Sequence, residues 1–178
     1  MGMKKTMELF EVYDINRQKT AKIIDRNGNE KLQEGEYHIV VEAVIINSKG
    51  KILITKRAET KTKYPLLWEC NGGSVIYKET SREAVLREVR EELGIIFKND
   101  EAIYFKTVRD DKSKYFKDIW IFKKNIKLSE LNFSDKEVID AKWVTIDEFE
   151  KLKQKGEIVP TNYLSQDDFK KCFEILKI

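Results

Sequence analysis

The chain has 178 residues, with 34 Lys+Arg, 31 Asp+Glu and one His, for a formal net charge of +3. That length suits one domain able to bury about 70% of its extended-chain surface, and 11% aromatic residues argue against a disordered chain. No apolar run exceeds four residues, so neither a membrane-spanning helix nor a signal-peptide core is expected.

Cys70 and Cys172 stand far apart, each without a neighbouring cysteine. A disulfide framework and a cysteine zinc cluster are therefore not expected, and a reduced, cytoplasmic protein is. Lysines are interleaved with acids rather than gathered into a stripe, so the expected partner is a small molecule, not nucleic acid or a membrane.

In chain order, the first 35 residues read as short strands, Leu9–Tyr13 and 20–25, joined by turn formers Asp14, Asn16, Asn27 and Gly28. The strongest strand is His38–Ile46. It is apolar on both faces, as in the interior of a sheet. Asn47-Ser48-Lys49-Gly50 predicts a hairpin turn into a strand over 51–57. Pro65 precedes Leu66-Leu67-Trp68, and Gly72-Gly73 permits an unusual backbone path. A helix follows over Ser81–Leu93, with Thr80 and Glu83 as a capping box and Gly94 at its end. Strands are expected at 102–109, 116–123 and 141–144. A second capping box at Thr145 and Glu148 starts a helix to about Lys155, and a last helix covers 165–176. The reading is one α+β domain: a β extension over 1–35, then a main domain over 36–178 that includes the C-terminal helices.

On the first helix, Val85, Leu86, Val89 and Leu93 form an apolar stripe. Glu88, Glu91 and Glu92, at i, i+3 and i+4, are expected to converge on one patch nearly opposite. Three like charges repel unless a cation neutralises them, and carboxylate oxygens suit Mg²⁺ or Mn²⁺, which share their remaining sites with phosphates. Arg87 lies four residues before Glu91 and is placed to hold it. The bland alternative is a solvated acidic face.

The spacing decides between them. Gly73, five residues, Glu79, seven residues, Arg87-Glu88, an aliphatic, one residue, Glu91-Glu92, one residue, Gly94 and an aliphatic fill every specified position over 73–95. This resembles the Nudix box. The resemblance implies an α/β/α sandwich with a mixed sheet between helices, and metal-dependent hydrolysis of a nucleoside diphosphate linked to another group, with Mg²⁺ (or Mn²⁺) as cofactor. It makes Glu88 and Glu92 the main metal ligands and Glu91 a further ligand or the group ordering the attacking water. It also makes the Gly73 carbonyl a metal-facing group, and Glu79 and Arg87 supports of the loop and helix. Relatives often take a base or ligand from a later loop, and Glu137 is the candidate there; its alternative is an exposed loop acid.

Arg57, at a strand end near the expected cleft, is a candidate phosphate partner, and Trp68 a candidate stacking partner, against the alternatives of a surface cation and a core aromatic. Gly35 to His38, Lys56-Arg57 and Trp68 also resemble a Nudix subgroup near isopentenyl-diphosphate isomerase. An isomerase is therefore the rival reaction class, and a silent nucleotide-binding module a third. The isomerase pattern breaks at its catalytic residues. Its cysteine aligns near Gly72, Cys70 is two positions early, and one His cannot build a multi-histidine site. Leu9, Phe10, Val12, Ile23 and Ile24 of the extension need another surface to cover them, in the same chain or in a homodimer.

Overall fold

The computed structural model describes residues 8–134 and 136–178. The start of the β extension, residues 1–7, and Asp135, two positions before Glu137, lie outside the described residues.

Among the described residues, nine strands and three α-helices follow one another as β1 (Leu9–Tyr13), β2 (Lys19–Asp25), β3 (His38–Ile46), β4 (Ile52–Arg57), β5 (Trp68–Glu69), β6 (Asn71–Ser74), α1 (Ser81–Leu93), β7 (Ile103–Asp110), β8 (Tyr115–Lys123), β9 (Val138–Val144), α2 (Ile146–Gln154) and α3 (Gln166–Leu176). β3 is central. It runs parallel to β8 over its whole length and antiparallel to β6 over Val40–Ala43. Its double-sided apolar sequence serves two cores. Ile39, Val41, Ala43 and Ile45 pack with Val85, Val89 and Leu93 of α1. Val44 and Ile46 pack with Phe149 of α2 and Phe169 and Cys172 of α3. The result is a mixed sheet between helices, as expected. Each fully buried Val or Leu on α1 contributes about 2 kcal/mol of transfer free energy.

The helix ends follow from sequence. Thr80, Thr145 and Ser165 each cap a helix with their side chains, and the third helical residue reaches back in every case. Gly94 closes α1 in the left-handed conformation at φ 71°.

One expectation is met, with a shorter ladder than usual, and one is corrected. Asn47 and Gly50 do form the turn, and the Asn47 side chain accepts from Lys49 N and Lys51 N at 3.0 Å. The hairpin itself does not extend: β3 and β4 share only the pair Ile46 and Ile52, and β4 pairs instead with β9. The cause is β6, which takes the β3 edge over Val40–Ala43. The segment read as an unusual glycine path is therefore a strand. A Cβ on Gly72 would lie 2.1 Å from the Val41 carbonyl oxygen, so the two backbones approach this closely only with glycine there.

The β1–β2 ribbon packs on the same chain. Tyr13 and Tyr37 exchange backbone hydrogen bonds at 2.8 Å, and Tyr77 N donates to Leu9 O at 2.7 Å. Phe10, Val12 and Ile24 are buried with Leu32, while Ile23 stays exposed. From the β1–β2 turn, Arg17 reaches into the main sheet and grips the buried Asp118 carboxylate with both terminal nitrogens, at 2.7 and 2.5 Å. Phe10, Val12 and Ile24 are thus covered within the chain, whereas Ile23 is not. Among the described residues, no helix is long and apolar enough to cross a membrane.

Candidate active site

The site is built where β6 meets the middle and C-terminal half of α1, which carry Arg87, Glu88, Glu91 and Glu92. Arg87 is its hub. Its guanidinium offers five N–H groups, and five acceptors meet them. Nε donates to Glu79 Oε1 at 2.8 Å, and Nη2 to Glu79 Oε2 and the Ser74 carbonyl, both at 2.9 Å. Nη1 donates to Glu88 Oε1 at 2.9 Å and to Glu91 Oε2 at 3.2 Å. Glu79 also accepts from Ile76 N at 3.1 Å, which pins the loop to the helix. Burial works against the Arg87 charge, but the Glu79 bond and the adjacent Glu88 outweigh it, and its pKa is raised.

Glu88 lies beside Gly73 so closely that a Cβ there would sit 2.1 Å from Glu88 Oε1. Burial raises the Glu88 pKa, and Glu91 and Glu137 add to this against the opposing pull of Arg87. An extra cation at this carboxylate would relieve that cost.

The three glutamates border one cavity, but at different depths. The Glu91 side chain is 46% exposed at the rim. Glu92 is 5% exposed and accepts from Asn71 Nδ2. At about 100° per residue, Glu92 stands beside the apolar stripe rather than across from it, so the packing that buries Val89 and Leu93 buries it too. Arg87 and Asn71 hold the carboxylates apart, and among the described residues no three His, Cys, Asp or Glu side chains are arranged to hold a metal. The donor chemistry nevertheless suits a hard cation: carboxylate oxygens, a glycine path that admits them, and Asn71 Oδ1, a buried acceptor with no hydrogen-bond donor.

A cavity of about 770 Å³ opens onto Gly73, Glu88, Glu91 and Glu92 and extends to Arg57 and Glu137. Glu137 carries an ion pair with Lys61 and stands just before β9. Arg57 Nη1 donates to Glu69 Oε1 at 2.6 Å, and its Nε and Nη2 donate to the Lys63 carbonyl. Trp68 is not brought to the cavity. It is 7% exposed in the core beside α2 and α3, with Lys142 Nζ 4.0 Å above its ring. Its apolar bulk wins over the stacking role.

Sequence reasoning missed Asn71, Glu69, Lys117 and Asn162 and gave Glu42 no role. Glu42 is 3% and Lys117 7% exposed, and both border the same cavity. They are 75 residues apart, and no short motif links them. The one signal available was a charged residue inside each of two strongly apolar strands.

Residues 36–163 match the family model for the NUDIX domain. The chain belongs to the Nudix family. This Nudix chain is 38% identical over 165 residues to an uncharacterized Nudix hydrolase of Listeria monocytogenes, covering 90% of this chain and 93% of that one. It is 30% identical over 110 residues, 60% of either chain, to the isopentenyl-diphosphate Delta-isomerase of Escherichia coli. Its fold matches the crystal structure of DR0079 from Deinococcus radiodurans with a TM-score of 0.75 at 20% identity, over 93% of this chain and 99% of that chain. The protein is thus an enzyme of the Nudix pyrophosphohydrolase type, a class that works with divalent metals on small molecules.

Proposed function

We propose that this Nudix enzyme hydrolyses a nucleoside diphosphate linked to another moiety, or a related organic pyrophosphate, with Mg²⁺ or Mn²⁺. The observation that carries the proposal is the Arg87 hub, which holds Glu79, Glu88 and Glu91 in one network at a cavity floored by Gly73. Glu88 and Glu92, with Glu91 and the Gly73 carbonyl, would hold the cation. When bound, the cation neutralises phosphate charge and lowers the pKa of water. Arg87 keeps Glu88 and Glu91 aimed at the cavity. In this reading Glu137 takes a proton from the attacking water, and its pairing with Lys61 fixes the carboxylate at the cavity edge. Water adds to phosphorus, the bond to the bridging oxygen breaks, and that oxygen leaves on the second phosphate. Arg57 retains one uncommitted N–H on each terminal nitrogen for a phosphate oxygen.

The isomerase likeness favours a second reading, but Cys70 speaks against it. The thiol is 3% exposed, and burial pushes its pKa well up, away from a reactive thiolate. A panel of nucleoside diphosphate sugars, dinucleotides, nucleoside triphosphates and prenyl diphosphates, assayed with Mg²⁺ or Mn²⁺, separates the readings. Release of a monophosphate is the expected result. Double-bond migration in isopentenyl diphosphate without phosphate release would replace hydrolysis by isomerisation. Nucleotide binding without turnover would leave a silent binding module.

A further inference from the structure

The cavity has a second charged wall, across the sheet from α1. Lys117 Nζ, on β8, donates to Glu42 Oε2 on β3 at 2.7 Å and to the Thr161 carbonyl at 2.8 Å. Asn162 Nδ2 donates to Glu42 Oε1 at 3.3 Å. The rings of Tyr115 and Tyr163 flank the ammonium, with centroids 5.9 and 5.4 Å from Nζ. Both carboxylate oxygens of Glu42 are thus occupied. An ammonium has three N–H donors, and two of those on Lys117 are used. The third belongs to a side chain that is more than nine-tenths buried and borders the cavity.

A buried ion pair contributes little to stability compared with apolar residues of the same volume, because desolvation offsets the attraction. Holding a charge in a cavity wall with a donor to spare is instead what recognition of an anion requires. The two walls are joined by a stretch of strand with no side chains. A Cβ on Gly73 would meet the Glu88 carboxylate, and one on the preceding Gly72 would come within 3.1 Å of Glu42 Cα. Glycine at both positions lets β6 pack tightly between the α1 carboxylates and Glu42, so both walls border one cavity that an extended anion can span.

We infer that Lys117 binds an anionic phosphoryl oxygen of the substrate, the one farther from the α1 carboxylates, and that Glu42 is the residue positioning its ammonium. The inference rests on the diphosphate reading above, but it can fail separately. The probe is methylenediphosphonate, a diphosphate analogue that water does not cleave. Its binding is measured by calorimetry on the full chain, with and without Mg²⁺, alongside turnover of whichever panel substrate proves active.

Lys117→Met combined with Glu42→Gln removes both charges together and leaves no orphan ion. Methylenediphosphonate binding should weaken at least about ten-fold, or about 1.4 kcal/mol, and KM should rise about as much. The Mg²⁺ half-saturation and kcat should stay within about three-fold. Lys117→Arg, which keeps the charge and can keep the Glu42 contact, should recover part of the binding. A folded double variant with unchanged binding and KM would reduce the pair to a structural role. A wild-type protein that binds methylenediphosphonate but turns over nothing would sink the hydrolase reading and leave the Lys117 assignment standing. Should the double variant fail to fold, the ¹⁵N resonance of the wild-type Lys117 ammonium decides. It should shift on adding methylenediphosphonate, and an unmoved resonance would overturn the assignment.

Discussion

The two walls of the cavity solve the problem of buried charge differently. On the α1 wall one cation, Arg87, serves three carboxylates and a carbonyl, which leaves excess negative charge at a partly open rim. On the sheet wall Lys117 and Glu42 match one to one, and backbone and amide groups complete the set. The first wall is built to want another cation. The second is neutral as it stands and has a donor left over. A cavity with an electron-rich end and an N–H-rich end, joined by glycines, suits a molecule that reaches a metal through one phosphate and a protein cation through another.

Breaking the α1 wall should have the largest effect. Arg87→Ala strips partners from Glu79, Glu88 and Glu91 together, and Glu79 and Glu88 have side chains only 11% and 14% exposed. Removing one member of a buried network costs about 3 kcal/mol or more, so thermal unfolding should come many degrees lower and turnover should vanish. A variant that melts like wild type would mean that the network is solvated and dispensable.

Glu88→Gln and Glu92→Gln come next, and they separate chemistry from folding. Each should cut turnover by about two orders of magnitude. Stability without metal should hold, and for Glu88 it should rise, because burial already disfavours that carboxylate. Near-wild-type rates for both at limiting metal would remove these glutamates from the site. Gly73→Ala asks the same question through the backbone. Its methyl would push the Glu88 carboxylate aside, so activity should fall more than about ten-fold while the melting temperature falls by only about a few degrees. An unaffected rate would show that Glu88 can leave Gly73 without consequence.

What was legible in the sequence follows the same division. The α1 wall lies within 73–95, where helical spacing and caps fix side-chain directions locally. The position of Arg87 and its pairing with Glu91 were therefore readable, whereas its shorter bonds to Glu79 were not. The sheet wall is assembled by the parallel pairing of β3 with β8, which sets Glu42 opposite Ile119 and Lys117 opposite Val40. No local pattern encodes that register. The burial of Glu92 was missed for a nearer reason: its angle on the helix put it at the border of the apolar stripe, where packing decides. The β3–β4 hairpin turn was read correctly from its turn residues, but the competing strand β6, rich in glycine, which keeps that hairpin short, was not recognised.

The smallest effect lies outside both walls. His38 packs against Phe10, with ring centroids 4.9 Å apart, and its Nδ1 is buried without a partner. Burial, helped by the charges of Arg26 and Lys63, lowers its pKa from 6.5 to about 4. The folded state thus resists protonation. The stability His38 permits is fully present above pH 6.5 and is lost as the pH falls toward 4. Comparing wild type with His38→Phe, the melting temperatures should diverge over that interval in favour of the variant. Parallel acid profiles would exclude His38 from the acid response.

The central claim is that the α1 wall holds the catalytic cation. It is tested most directly by titrating Mn²⁺ into the full chain and following the free ion by electron paramagnetic resonance, for wild type and for Glu88→Gln with Glu92→Gln. The account predicts saturable Mn²⁺ binding by wild type and its loss in the folded double variant. Equal binding by the two proteins would contradict it.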